Sequence, residues 1–127
     1  AITEEEKADE DSKIGDAFTI AEFVMGVNET TEADLPETVL AWDLVRAVNM
    51  ARWAFICGYI NEDEMWEAIR TTAGIAKESF SSWEEYGNSF AVGRGIWRGE
   101  TDDYETADEV VGALLNKEDS PWKAIEW

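Results

Sequence analysis

The sequence predicts an all-α fold, a bundle of four main helices with a shorter fifth helix near the C-terminus. Three observations point there. Apolar residues recur at three- and four-residue steps along most of the 127 residues. Pairs of a capping residue and a glutamate three places on (Asn61/Glu64, Ser82/Glu85, Thr106/Glu109) stand where those runs begin. No stretch alternates with the period of two that a half-buried strand needs.

Residues 1–12 are charged and lack apolar periodicity, so they are expected as an acidic tail or a solvated helical extension, with 13–127 as a single all-α domain. The first main helix follows the stripe Ile14, Ala17 or Phe18, Ala21, Val24 or Met25, and GVNETTEAD reads as a loop. The second helix is expected to start at Asp34 as N-cap, with Pro36 in the first turn and Glu37 completing a capping box. It runs to Cys57 and is apolar nearly all round, the mark of a central helix. Gly58 suits the left-handed position that closes it.

The third helix opens at Asn61 and carries Met65, Ile69, Thr72 and Ala76 on one face, with Trp66 on the flank. The fourth runs from Ser82 to about Gly99 and aligns Trp83, Tyr86, Phe90, Arg94 and Trp97. Gly87, Gly93 and Gly95 weaken it by about 1 kcal/mol each, which implies that another helix approaches closely there. The fifth is placed near Thr106–Asn116, and SPWKAIEW reads as a stub docked by Trp122 and Trp127.

The composition excludes much chemistry. There is no histidine, so every His-containing triad and zinc site is absent. Cys57 stands alone, which rules out an internal disulfide and is expected to be a buried thiol. The N-terminal AITEEEKADED lacks the basic start and apolar stretch of a signal peptide, no apolar run is long enough to span a membrane, and a cytoplasmic location is expected. DEDSKIGDAFTIAEF fails as an EF-hand in either register, because Ile14 or Lys13 falls where glycine or a ligand is required. GRGIWRG lies late in a helix and is no phosphate loop. Glu84 and Glu85 diverge on their helix, and TDDYE reads as an acidic loop. No catalytic residue, cofactor or metal is expected.

The net charge is −19, and it is uneven: −10 over residues 1–38, −2 over 39–98 and −7 over 99–127, with all five arginines in the middle segment. Such a field repels nucleic acid and anionic membranes and attracts basic proteins. Arg94, on the apolar face of its helix, needs an acceptor if desolvated. Asp43 is the nearest choice, and Asp43, Arg46 and Asn49 lie three apart on the second helix. These four residues are expected either as a structural polar network between two helices or as a site where Arg46 and Arg94 hold an anion.

The segments LAWDLVRAVNMARWAFICGYINEDEMWEAI and FSSWEEYGNSFAVGRGIW carry Trp-Asp-x-x-Arg (Trp42, Asp43, Arg46), Arg-Trp-x-x-x-x-Gly-Tyr (Arg52 to Tyr59), Ser-Trp-x-x-Tyr (Ser82 to Tyr86) and Gly-Arg-x-x-Trp (Gly93 to Trp97). This series resembles the bacterial domain-of-unknown-function 1266 family over roughly residues 40–98, with the acidic flanks outside it. The resemblance implies a helical bacterial domain and no particular reaction.

Two functions of different kind follow. A small acidic chain without catalytic groups fits a non-enzymatic interaction module, most concretely an immunity-type inhibitor of a basic nuclease toxin, with Asp102, Asp103 and Glu105 among the partner-binding acids. Alternatively, it is a helical domain that senses a small anion through Arg46 and Arg94. A carboxylate-based enzyme is a third, weaker reading.

Overall fold

The computed structural model describes residues 2–9 and 11–127. Among them are seven α-helices and no strand: α1 Glu4–Ala8, α2 Lys13–Asn28, α3 Leu40–Ile56, α4 Glu62–Ser79, α5 Trp83–Arg98, α6 Thr101–Asn116 and α7 Pro121–Ala124, with a 3₁₀ turn at Glu32–Asp34. The all-α expectation holds, but the count of four main helices and one short one does not. Five helices are long, and the acidic N-terminal segment forms α1, closed by a Thr3/Glu6 capping box.

The middle of the fold is α5, and its three glycines explain why. A Cβ built on Gly87 would lie 2.6 Å from Val111 of α6, one on Gly95 would lie 2.9 Å from Tyr104 of α6 and 3.2 Å from Ile20 of α2, and one on Gly93 would lie 2.5 Å from Trp42 of α3. Three helices therefore reach the backbone of α5 itself. The pairings Gly95/Tyr104 and Gly87/Val111 make α5 and α6 antiparallel, joined through Gly99 in the left-handed conformation. Ile20, Val24, Ala91, Val92, Tyr104, Ala107 and Val111 form the main core. A second cluster of Ala41, Leu44, Ala76 and Phe80 joins the α3–α4 hairpin to the rest. The predicted α4 face is correct, with Met65 and Ala76 buried.

The expectation that the helix through Leu40–Cys57 is central is overturned. Its apolar excess faces outward: Met50 is 63% exposed, Trp53 60% and Ile56 74%. Cys57 is likewise exposed, because it sits in the last turn beyond the core. On α2, Ile20 is fully buried while Ile14 is exposed, so the stripe begins later than its spacing suggested.

Two helix starts also differ. α3 begins at Leu40, not after Asp34, whose carboxylate instead accepts from the Thr31 amide and hydroxyl at 2.9 Å. The start of α3 is satisfied partly by its own turn and partly by another helix: Thr38 Oγ1 accepts from the Leu40 amide at 3.1 Å, while Ser89 Oγ of α5, fully buried, accepts from the Ala41 amide at 3.2 Å and donates to the Thr38 carbonyl at 2.6 Å. α6 begins at Thr101, so TDDYE is helical. Asp102 and Asp103 in its first turn complement the helix dipole, and Thr106 sits inside the helix, donating back to the Asp102 carbonyl at 2.9 Å.

The C-terminal stub docks as expected. Trp122 stacks on Trp83 at 4.9 Å, and Trp127 donates to the Phe80 carbonyl at 2.8 Å.

Candidate functional site at the junction of α3, α5 and α6

Gly93 lets α3 descend onto α5, and this seats Trp42 beside Trp97, with ring centres 5.6 Å apart. Arg46 stands one turn after Trp42 on α3, and Arg94 one turn before Trp97 on α5. Each guanidinium lies over both indoles: Arg46 at 5.6 and 5.2 Å from Trp42 and Trp97, Arg94 at 5.3 and 5.8 Å. Arg98 adds a third at 5.9 Å from Trp97. At these distances each guanidinium is attracted by the ring quadrupoles while its N–H donors stay free to bond.

One carboxylate serves this cluster. Asp103 Oδ1 accepts from Arg94 Nε at 3.0 Å and lies 2.9 Å from its Nη2, while Oδ2 is 3.6 Å from Arg98 Nε. The expected pairing of Arg94 with Asp43 is therefore wrong. The close approach at Gly95 brings the first turn of α6 alongside Arg94, whereas Asp43 is turned about 100° from Trp42 and is exposed. Asn49 makes no side-chain hydrogen bond among the described residues. Of the four expected network residues, the fold brings together Arg46 and Arg94 and leaves out Asp43 and Asn49. Asp103 also leaves the set of free partner-binding acids; Asp102 and Glu105 remain exposed.

Beside the cluster opens a cleft of about 350 Å³, walled by Trp42, Phe90, Ala107 and Val110 and edged by Arg94, Asp102, Asp103 and Thr106. Trp42 Nε1 is buried without an acceptor, alone in this among the described side chains. An unmet buried donor costs about 1–3 kcal/mol. Lys13 secures the far end of α5 by donating to the carbonyls of Ile96 and Trp97 at 3.3 and 3.0 Å.

A more polar cavity of about 280 Å³ lies on the other side of α6, lined in part by Asn28, Asp34, Asn88, Tyr104 and Asp108. Burial raises the Asp108 carboxyl above the usual range, with Glu109 adding to it. Burial also raises the Tyr104 hydroxyl, which accepts from Asn28 Nδ2 at 3.3 Å. Among the described residues no group of three or more His, Cys, Asp or Glu could hold a metal ion, and no helix is long and apolar enough to cross a membrane.

The residues that sequence reasoning missed are Asp103 as the partner of Arg94, and Trp42 as half of an aromatic pair with Trp97. The signal for the aromatic pair was present in the Trp-Asp-x-x-Arg and Gly-Arg-x-x-Trp segments, which place an arginine one turn from a tryptophan on each of two helices, whereas nothing local marked Asp103.

No curated protein and no solved structure matches the chain significantly. A family model described as "Protein of unknown function (DUF1266)" matches residues 1–127, so the likeness is not confined to residues 40–98 and takes in both acidic flanks. That extent agrees with the packing, since Ile20, Tyr104 and Val111 from the flanks meet the glycines of α5. The chain belongs to this family.

Proposed function

We propose that the chain is a non-enzymatic, cytoplasmic protein-interaction module of the immunity type, which binds a basic protein such as a nuclease toxin. The observation that supports this most is the uncovered end of the α3–α4 hairpin. Met50, Trp53 and Ile56 follow at three-residue steps on α3, and Tyr59 beyond them is 85% exposed. Trp66 is exposed on α4, whose first turn carries Glu62, Asp63 and Glu64. Tryptophan, tyrosine and methionine are the side chains that interface centres favour, and a rim of acid steers a basic partner towards them. The strongly acidic flanks add to that field.

The test is affinity capture from the native host with the wild-type chain and a Trp53→Ser/Ile56→Asp variant. A basic protein held by the first and lost by the second, with an association rate that falls as salt rises, is the expected result. Equal capture by both chains, or a partner bound equally at all salt concentrations, would overturn it.

A further inference from the structure

We infer that the cavity walled by α3, α4, α5 and the segment beyond α7 binds a small, neutral, bicyclic aromatic molecule that carries a hydrogen-bonding group for Tyr86. This goes beyond the interaction reading and concerns a different set of residues, so the two stand or fall separately.

The walls come from four parts of the chain. α3 supplies Val48, α4 Ile69 and Ala73, α5 Trp83 and Tyr86, and Trp127 closes the remaining side. Two indoles hold that last segment in place: Trp83 Nε1 donates to the Ile125 carbonyl at 2.7 Å, and Trp127 Nε1 to the Phe80 carbonyl at 2.8 Å. The space is therefore a pocket between packed elements, not a single open helix face. Its volume is about 290 Å³. An apolar cavity of about 150 Å³ holds a benzene ring, so this one has room for a bicyclic molecule. The rings on its wall already stand edge-on or tilted to one another, Trp127 to Trp83 at 81° and 4.9 Å and to Tyr86 at 39° and 5.4 Å. A flat aromatic guest extends that arrangement by offering an edge or a face, which an aliphatic one cannot.

Charge and polarity narrow the guest further. The charged side chains of the lining are Lys77 and Glu126, of opposite sign and both exposed. An ion entering the apolar interior would lose its water and meet no counter-charge there, so the guest is neutral. Most polar groups of the wall are already used. Both indole N–H groups are spent on the two carbonyls, and the Thr72 hydroxyl donates to the Ala68 carbonyl at 2.8 Å. The Tyr86 hydroxyl makes no hydrogen bond among the described residues. It is not sealed inside the protein either, because among those residues Trp42 Nε1 alone is a buried side-chain polar atom without a partner. Burial nevertheless raises its pKa, as befits a hydroxyl largely kept from bulk water. A phenol in that position can give one hydrogen bond and accept another.

The experiment is a titration of the ¹⁵N-labelled protein, following the tryptophan indole N–H signals, with indole, tryptamine and indole-3-acetate as probes. Indole should move the Trp83 and Trp127 signals saturably and leave those of Trp53 and Trp97, which do not line the cavity, in place. Tryptamine and indole-3-acetate, the same ring with a positive or a negative charge, should bind more weakly. Ala73→Phe, at an exposed helix position, should fill the cavity and abolish binding. Tyr86→Phe should weaken it about fivefold, the worth of one ordinary hydrogen bond. Circular dichroism should be unchanged in both variants. Absence of a saturable shift overturns the proposal, as does equal binding of either charged probe. Undiminished binding by folded Ala73→Phe or Tyr86→Phe would overturn it too. Trp83 and Trp127 signals that move on dilution without any probe would put a second copy of the chain in the cavity, and would overturn it as well.

Discussion

Gly93 of α5 lies directly beneath Trp42 of α3: a Cβ on this glycine would stand 2.5 Å from Trp42 Cβ and 3.2 Å from both Cβ and the carbonyl oxygen of Val39. The neighbouring atoms are at the root of a side chain and on a backbone, so they cannot turn aside. Gly93→Ala should therefore lower stability by about 1–3 kcal/mol in urea unfolding. Gly74, inside α4, meets nothing within 4 Å. Gly74→Ala should raise stability by about 0.5–1 kcal/mol, through helix propensity and a less flexible unfolded chain. Equal effects at the two sites would contradict the packing described for α5.

The Arg94–Asp103 pair is half-exposed, with 36% of the Arg94 side chain open to solvent. Its contribution is accordingly small. A double-mutant cycle with Arg94→Met and Asp103→Asn should give a coupling of about 1 kcal/mol or less, and the same cycle with Asp43→Asn should give none. A clear coupling to Asp43 would mean that α3 sits differently on α5.

Stability should depend on pH through Asp108. Burial raises its folded pKa, so the protonated form fits the folded state better than the ionised one. The stability associated with it is full below the unfolded carboxylate pKa and is lost as pH rises through the higher folded value. Asp108→Asn should therefore stabilise the protein at neutral pH, and the gain should vanish in mild acid. Glu6, Asp34 and Glu85 act in the opposite sense. Each carboxylate is held below its ordinary pKa by backbone and hydroxyl donors, from Thr3, Thr31 and Ser81 respectively, so what they contribute is lost as pH falls through the folded values. Thermal melts of wild type and Asp108→Asn from about pH 3 to about pH 8, across the carboxylate range, check both signs.

If the acidic surface serves recognition, neutralising Asp102 and Glu105 together should slow partner association more than it speeds dissociation. Asp103 is left intact in this test because it is committed to Arg94 and Arg98. The folded state should change by no more than about 0.5 kcal/mol, as both side chains are exposed. Stopped-flow association at low and high salt separates this from an effect on solubility alone, which would leave the rate unchanged.

How much was legible in the sequence depended on how local the cause was. The starts of α4 and α5 were readable because Asn61 and Ser82 cap within their own turns, accepting from the amides of Glu64 and Glu85. The ends at Gly58 and Gly99 were readable because only glycine takes a positive φ there without strain. The glycines of α5 announced close neighbours but not which ones. The start of α3 differs because Asp34, Pro36 and Glu37 imitate a local cap, while the amides that open the helix are answered by Thr38, four residues further on than Asp34, and by Ser89 on another element. The central role went to the wrong helix because hydrophobicity alone cannot distinguish an apolar face awaiting a core from one left exposed, as at Met50, Trp53 and Ile56. At the site, the arginines and tryptophans were visible as spaced pairs. Their convergence, and the choice of Asp103 over Asp43, depended on where α6 crosses α5.

Ser89 makes the protection of one amide at the start of α3 depend on a neighbouring helix. Its hydroxyl bridges Thr38 and Ala41 across 51 and 48 residues of sequence, from a position with no exposure at all. The amide of Ala41 can exchange its hydrogen only when α5 lifts away or α3 frays, so its protection reports the docking of the hairpin on α5 and not the helicity of α3 itself. An isolated Leu40–Ser79 hairpin would carry an unanswered amide at its first turn. The protection of the Ala41 amide should therefore fall in any variant that loosens α5 from α3, even where α3 stays helical.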